Sequence, residues 1–141
     1  MSRLSFLSWG MLVAESLAQR STCARKAVGC VLLDSRKRIL ATGYNGVIKD
    51  APHCNDYPCK GAANLNGDDC EALHAEWNAL IQCTKPDAVY YVFVTTLPCF
   101  RCIKMLCNTG MLELVYKDTH PEEEKVLAFL KKTSVTIRRI N

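Results

Sequence analysis

The sequence has no long apolar run. Nothing in it approaches the roughly 20 consecutive apolar residues that a membrane-spanning helix needs. The stretch after Arg3 that most resembles a leader is interrupted by Ser8, Gly10 and Glu15. Neither a membrane protein nor a secreted one is expected, and the chain reads as cytoplasmic. Internal repeats, low-complexity tracts and linkers are also lacking, so residues 1–141 are expected to form one domain. Aromatic residues make up 8%, and no basic run is interleaved with them. A groove that stacks single-stranded nucleic acid needs both, so nucleic acid is not an expected partner. The net charge of +4 is mild. It suits a small anionic ligand, and equally a merely solvated surface.

What the chain holds in excess is cysteine, with nine residues of 141. An odd number at irregular spacing makes a poor disulfide framework. Metal ligation together with buried thiols is the better reading in a reducing compartment.

Leu4, Leu7, Met11, Ala14, Leu17 and Ala18 recur at helical spacing and predict an amphipathic helix over 4–19. Two strand-like runs follow, 28–33 and 38–44, and the short Ser35-Arg36-Lys37 link predicts an antiparallel hairpin. Residues 45–71 are rich in Gly, Asn, Asp, Pro and Cys without periodicity. So long a loop in a compact domain is expected to be functional or pinned, and a metal would pin it. Beyond it come a helix over 73–82, a strand over 89–96, and a helix from Cys99 to a left-handed cap at Gly110. A strand over 112–116 follows. Thr119 with Glu122 predicts a capping box for a last helix, whose dipole Lys131 and Lys132 complement, and 135–140 predicts a closing edge strand. The order predicts an α/β sandwich around a mixed five-stranded sheet flanked by helices.

Two short motifs carry the chemistry, His74-Ala75-Glu76 and Pro98-Cys99-Phe100-Arg101-Cys102. Each stands at a predicted helix start. Thiols there face unpaired backbone N–H groups and the positive end of the dipole, which favours thiolates. Cys99 and Cys102 can share a zinc ion, with His74 as third ligand and the fourth position left to water, as in catalytic rather than structural sites. Glu76, two residues after His74, can lean toward that water without ligating and move protons as the water attacks a pyrimidine. His-x-Glu followed by Pro-Cys-x-x-Cys is the signature of zinc-dependent base deaminases. A structural zinc knuckle is the competing reading, but no fourth ligand is evident at this site.

Further stretches extend the match: Ser21-Thr22-Cys23-Ala24-Arg25 before Val28-Gly29, then Thr42-Gly43-Tyr44-Asn45-Gly46, His74-Ala75-Glu76-Trp77-Asn78-Ala79 and Thr95-Thr96-Leu97-Pro98-Cys99. On these the chain resembles the deoxycytidylate deaminases along nearly its whole length. The resemblance implies a cytidine-deaminase-like three-layer sandwich. It implies hydrolysis of dCMP, or of a 5-substituted dCMP, to the uracil nucleotide and ammonia, supplying thymidylate synthesis, in a homo-hexamer. It implies that Asn45 bonds the sugar, that Ala75 contacts the substrate, and that Ser21 and Arg25 meet the phosphate. Free cytidine deaminases usually carry Cys where His74 stands. The tRNA adenosine deaminases share His-Ala-Glu but lack Gly-Tyr-Asn-Gly. A rival of another class is a catalytically dead zinc scaffold, against which Glu76 speaks because it ligates nothing.

The sequence departs from the resemblance just after Asn45. Many members continue with a Pro and another Gly, in a segment tied to activation by dCTP and inhibition by dTTP, whereas here the run is Gly46-Val47-Ile48-Lys49-Asp50. That leaves the catalytic expectation intact and puts the effectors in question. Some members also hold a structural zinc with ligands at the positions of Cys23 and Cys54. Cys59 and Cys70 would complete a four-thiolate site, His53 is a competing ligand, and ordinary thiols are the alternative. Cys30, Cys83 and Cys107 fall on predicted core faces. Trp77 and Phe100 are candidates either for the pocket near C5 of the base or for the core.

Overall fold

Continuous apolar runs become the middle of a sheet because both faces of a central strand are covered. In the computed structural model, which describes residues 2–23, 25–56 and 70–141, β1 (Gly29–Leu33) is buried throughout and β3 (Tyr91–Thr96) nearly so. They sit at the centre of a five-stranded sheet of order β2-β1-β3-β4-β5, with β2 (Ile39–Tyr44), β4 (Glu113–Asp118) and β5 (Thr136–Arg139) completing it. β1 is antiparallel to both β2 and β3, whereas β3, β4 and β5 run parallel. The sheet is therefore mixed, and the alternating order of the second half of the chain supplies its parallel part.

Side chains alternate between the faces with a period of two. Val31, Leu33, Phe93 and Val115 point to one face and pack under Met11 and Ala14 of α1 (Phe6–Ala18). Cys30, Leu32, Val92, Val94, Leu114 and Tyr116 point to the other. There they meet Ala75 and Ala79 of α2 (Ala75–Gln82), Ile103 and Leu106 of α3 (Phe100–Cys107), and Val126 and Leu130 of α4 (Glu123–Leu130). Helix, sheet and helices make the three layers. Cys30 and Cys83 are buried in this second core and Cys107 packs against it, as small hydrophobes do.

α2 lies directly on β2 because Gly43 admits it. A Cβ at Gly43 would sit 2.4 Å from the Ala75 carbonyl oxygen and 2.5 Å from the Ala79 nitrogen. Gly43 and Gly46 flank Tyr44-Asn45 in one run. In the structure they admit the chain itself, since a Cβ at Gly46 would stand 2.7 Å from Thr22 Oγ1.

Two local expectations fail for reasons of packing. α3 ends at Cys107 with Asn108 as its cap, at φ −92°, and Gly110 is not a left-handed cap. Gly110 is needed because a Cβ there would lie 2.2 Å from the Asp87 carbonyl oxygen, against the 3-10 turn Pro86–Ala88 that precedes β3. The Thr119–Glu122 capping box does not form either. Thr119 Oγ1 donates to Glu123, Glu122 is the N-cap residue without a side-chain cap bond, and its carboxylate serves a different helix.

Strand polarity brings several connections to one edge of the sheet. Gly29, at the start of β1, pairs with Tyr44 at the end of β2 and donates its N–H to Thr95 Oγ1 near the end of β3. Thr96 is in register with Asp118 at the end of β4. Residues just before β1 and just after β2, β3 and β4 therefore share that edge, where open α/β sheets place their ligands.

Candidate metal centre and active site

His74 is the N-cap residue of α2 and Cys99 that of α3, both in extended backbone, and neither side chain caps its own helix. Their polar atoms are thereby free to converge. His74 Nδ1 lies 3.2 Å from Cys102 Sγ and 3.6 Å from Cys99 Sγ. The three ligand atoms lie within 4.8 Å of one another, the one such group among the described residues.

The start of α2 is held by the run that sequence reading singled out, though not as expected. Gly46 and Leu73 form an isolated antiparallel bridge, with bonds of 3.1 Å and 2.7 Å, immediately before His74. Asn78 Nδ2 donates to the Tyr44 carbonyl at 2.8 Å. The start of α3 is held by Glu122, whose Oε1 accepts the Phe100 N–H at 3.2 Å, and by the Leu97 N–H on the Asp118 carbonyl at 2.8 Å. Sequence reasoning missed Glu122. Its signal is a carboxylate just after a strand that ends beside the cysteine turn.

Charge is distributed unevenly over the site. A hydrogen bond from Cys102, assisted by His74, pulls the Cys99 thiol down to about 3. The Cys102 thiol is pushed well up by that same bond and by burial. Hydrogen bonding to Cys99 raises His74. A thiolate, a thiol that a metal would deprotonate, and an imidazole are the donor set of zinc, and three ligands leave a fourth position. Glu76, in the first turn of α2, is 4% exposed and is not one of the three ligands. Burial pushes its carboxyl up to about 7, against the pull of His74 and of a hydrogen bond from Cys102.

Two of the expected substrate contacts, Asn45 and Ser21, are bonded to each other. Asn45 Oδ1 accepts the Val28 N–H at 2.8 Å and the Ser21 hydroxyl at 2.6 Å, and Asn45 Nδ2 donates to the Lys26 carbonyl at 2.6 Å. One Nδ2 hydrogen remains, while Ser21 is committed to Asn45. Arg25 is exposed, and its charge acts on His74. Ala75 is fully buried. Trp77 is 41% exposed on α2, and Phe100 packs edge-on against Phe129 at 5.3 Å between α3 and α4.

For the second cysteine set, Asn55 binds the carbonyls of Thr22, at 3.1 Å, and Ser21, at 3.3 Å, bringing the Cys54 segment to that of Cys23. Cys23 and Cys54 are buried and Cys70 is half-buried, His53 is exposed, and Cys59 lies outside the described residues.

An imidazole and two cysteines grouped as zinc donors, with a buried carboxyl outside that group in the same helix start, are the donor set and proton carrier of a zinc-dependent base deaminase centre. The family described as the cytidine and deoxycytidylate deaminase zinc-binding region matches residues 4–118. ComE operon protein 2 of Bacillus subtilis (strain 168) is 33% identical over 99% of this chain and 74% of its own length. The deoxycytidylate deaminase of Mycobacterium phage D29 is 34% identical over 82% of this chain and 97% of its own. That of Schizosaccharomyces pombe is 32% identical over 97% of this chain, which spans 44% of the yeast enzyme. The crystal structure of the dCMP deaminase from cyanophage S-TIM5 in complex with dCMP and dUMP superposes with a TM-score of 0.78 at 25% identity. That match covers 99% of this chain and all of the phage one. The protein belongs to the cytidine and deoxycytidylate deaminase family.

Proposed function

We propose that the protein hydrolyses dCMP to dUMP and ammonia, supplying dUMP for thymidylate synthesis. The observation that carries the reading is Glu76, a buried carboxyl beside the His74–Cys99–Cys102 group that is not one of its ligands. When bound by these three residues, zinc supplies a Lewis-acidic position that lowers the pKa of water. Glu76, with a proton affinity near neutrality, takes a proton from the attacking water and gives one to ring N3, and then carries one to the departing amine. Water and the cytosine ring thus become the uracil ring and ammonia. Asn45 offers its remaining Nδ2 hydrogen to the sugar while its other bonds hold the segment around Lys26. Arg25 meets the phosphate, and Ser21 orients Asn45.

Finer readings belong to the same proposal. Cys23, Cys54, Cys59 and Cys70 hold a structural zinc, supported by the burial of Cys23 and Cys54 and the bonds that join their segments. Trp77, Ile81 and Ile48 are large exposed apolar side chains that a homo-hexamer would cover. A cleft of about 430 Å³ lined by Val47, Lys49, His53 and Asn78 is large enough for a dCTP or dTTP effector. The enzyme is assigned to the cytoplasm.

Ammonia release from dCMP, dCTP, deoxycytidine and single-stranded DNA, with zinc per chain measured on the same sample, tests the reading. Turnover confined to dCMP or a 5-substituted dCMP is expected, with two zinc ions per chain. Bound zinc without release from any of them would overturn it.

A further inference from the structure

Residues 97–100 carry Cys99 between two ties to the chain that follows β4. Leu97 donates its N–H to the Asp118 carbonyl at 2.8 Å, and Phe100 donates to Glu122 Oε1 at 3.2 Å. The first bond prolongs the parallel β3–β4 ladder and asks nothing of the side chains. The second needs a carboxylate or amide oxygen at that place. Pro98, between the two, has no N–H to give. Cys99 makes no cap bond of its own, so the N–H groups that open α3 depend on an acceptor from elsewhere. Glu122 supplies one from 22 residues away.

Phe100 is gripped by one side of α4. Glu122, Lys125 and Phe129 stand at positions i, i+3 and i+7, which share a face of a helix. Glu122 takes the backbone N–H of Phe100, Lys125 Nζ stands 4.3 Å from its ring centroid, and Phe129 meets the ring edge-on at 5.3 Å. The base of this grip is fixed. The Glu122 N–H goes to His120 Nδ1 at 3.0 Å, and its carbonyl accepts the Val126 N–H at 2.9 Å. What the grip holds is the residue next to Cys99. Cys102 is buried inside α3, whereas Cys99 precedes the helix and is half-buried. Fraying of the first turn would therefore release Cys99 before Cys102.

We propose that Glu122 is a positioning residue for the metal centre: through Phe100 it holds Cys99 in place and sets how slowly a bound zinc ion escapes. The inference rests on His74, Cys99 and Cys102 as zinc ligands, and not on dCMP as the substrate.

The test is the rate at which zinc-loaded protein gives up its metal to excess 4-(2-pyridylazo)resorcinol. Ammonia release from dCMP and the urea midpoint are measured on the same preparations. The kinetic phase missing from Cys102→Ser identifies the ion at this site. Glu122→Ala should speed that phase about tenfold, the loss of one charge-assisted cap bond. Glu122→Asp keeps the charge but falls a methylene short, and should behave like the alanine variant. Glu122→Gln keeps an acceptor oxygen at the same reach and should stay within about threefold of wild type. Leu130→Ala empties the core under the far end of α4. It should lower the urea midpoint more than any of these, yet leave the zinc phase within about twofold. Unchanged release from Glu122→Ala, or equal quickening in Leu130→Ala, would overturn the role. Wild-type protein that shows this pattern of zinc release but frees no ammonia from dCMP would sink the catalytic reading and leave the positioning role standing.

Discussion

The two faces of the sheet are built on different principles. Under α1 the contacts are uniformly apolar: Met11 and Ala14 cover Val31, Leu33, Phe93 and Val115, and Phe6 adds edge-on contacts to Tyr91 and Phe93 at 4.8 Å and 5.3 Å. Under α2 and α3 an equally buried apolar floor has a carboxyl, an imidazole and two thiols set into its edge. Burial stabilises the fold on the first face. On the second the apolar floor stabilises as well, but the burial of Glu76 costs stability and yields a proton carrier suited to neutral pH. One sheet thus keeps the residues that react to one of its two faces.

Substitutions on the two faces should therefore fail in different ways. The largest effect on activity is expected from Cys102→Ser, which removes a thiolate that a hydroxyl does not replace. Zinc should fall by one ion per chain and ammonia release from dCMP should drop to background, as metal analysis and an ammonia assay on one sample would show. The largest effect on stability is expected across the sheet. Phe93→Ala should cost about 3–5 kcal/mol in denaturant unfolding, while turnover per bound zinc in the folded fraction stays near wild type. Loss of specific activity in that variant would mean that the two faces are not separable.

A smaller effect, of opposite sign, is expected from Glu76→Gln in zinc-free protein. The folded carboxyl titrates at about 7 against an ordinary 4.5. Between those values the native state binds more protons than the unfolded one, so stability falls as pH rises through that window. Replacing the carboxyl should stabilise the zinc-free protein by up to about 3 kcal/mol at pH 8, and hardly at pH 4. Urea midpoints at both pH values would measure it, and an equal change at the two would contradict the burial effect.

The two faces were not equally legible in the sequence. β1 and β3 were readable as apolar runs, and the site's ligands as His-Ala-Glu and Cys-x-x-Cys, because each short motif stands at a helix start and Cys99 and Cys102, three residues apart, share a side whatever lies beyond. Contacts made across the chain left no such local mark. Glu122 looked like half of a capping box with Thr119, yet its carboxylate turns to Phe100, on a helix 22 residues earlier. Gly110 looked like a helix cap, and only the approach of the Asp87 carbonyl shows why no side chain fits there. Asn45 was placed in the site by resemblance, and its three bonds to Ser21, Lys26 and Val28 appear only once β1 and β2 pair.

The most direct measurement is zinc content and dCMP turnover of Glu76→Gln side by side with wild type. The amide keeps the shape of the side chain and cannot shuttle protons, so the variant should hold as much zinc as wild type with kcat at least about a hundredfold lower. Zinc-loaded protein with wild-type kcat would remove Glu76 from the chemistry, and loss of zinc together with activity would make it a ligand instead.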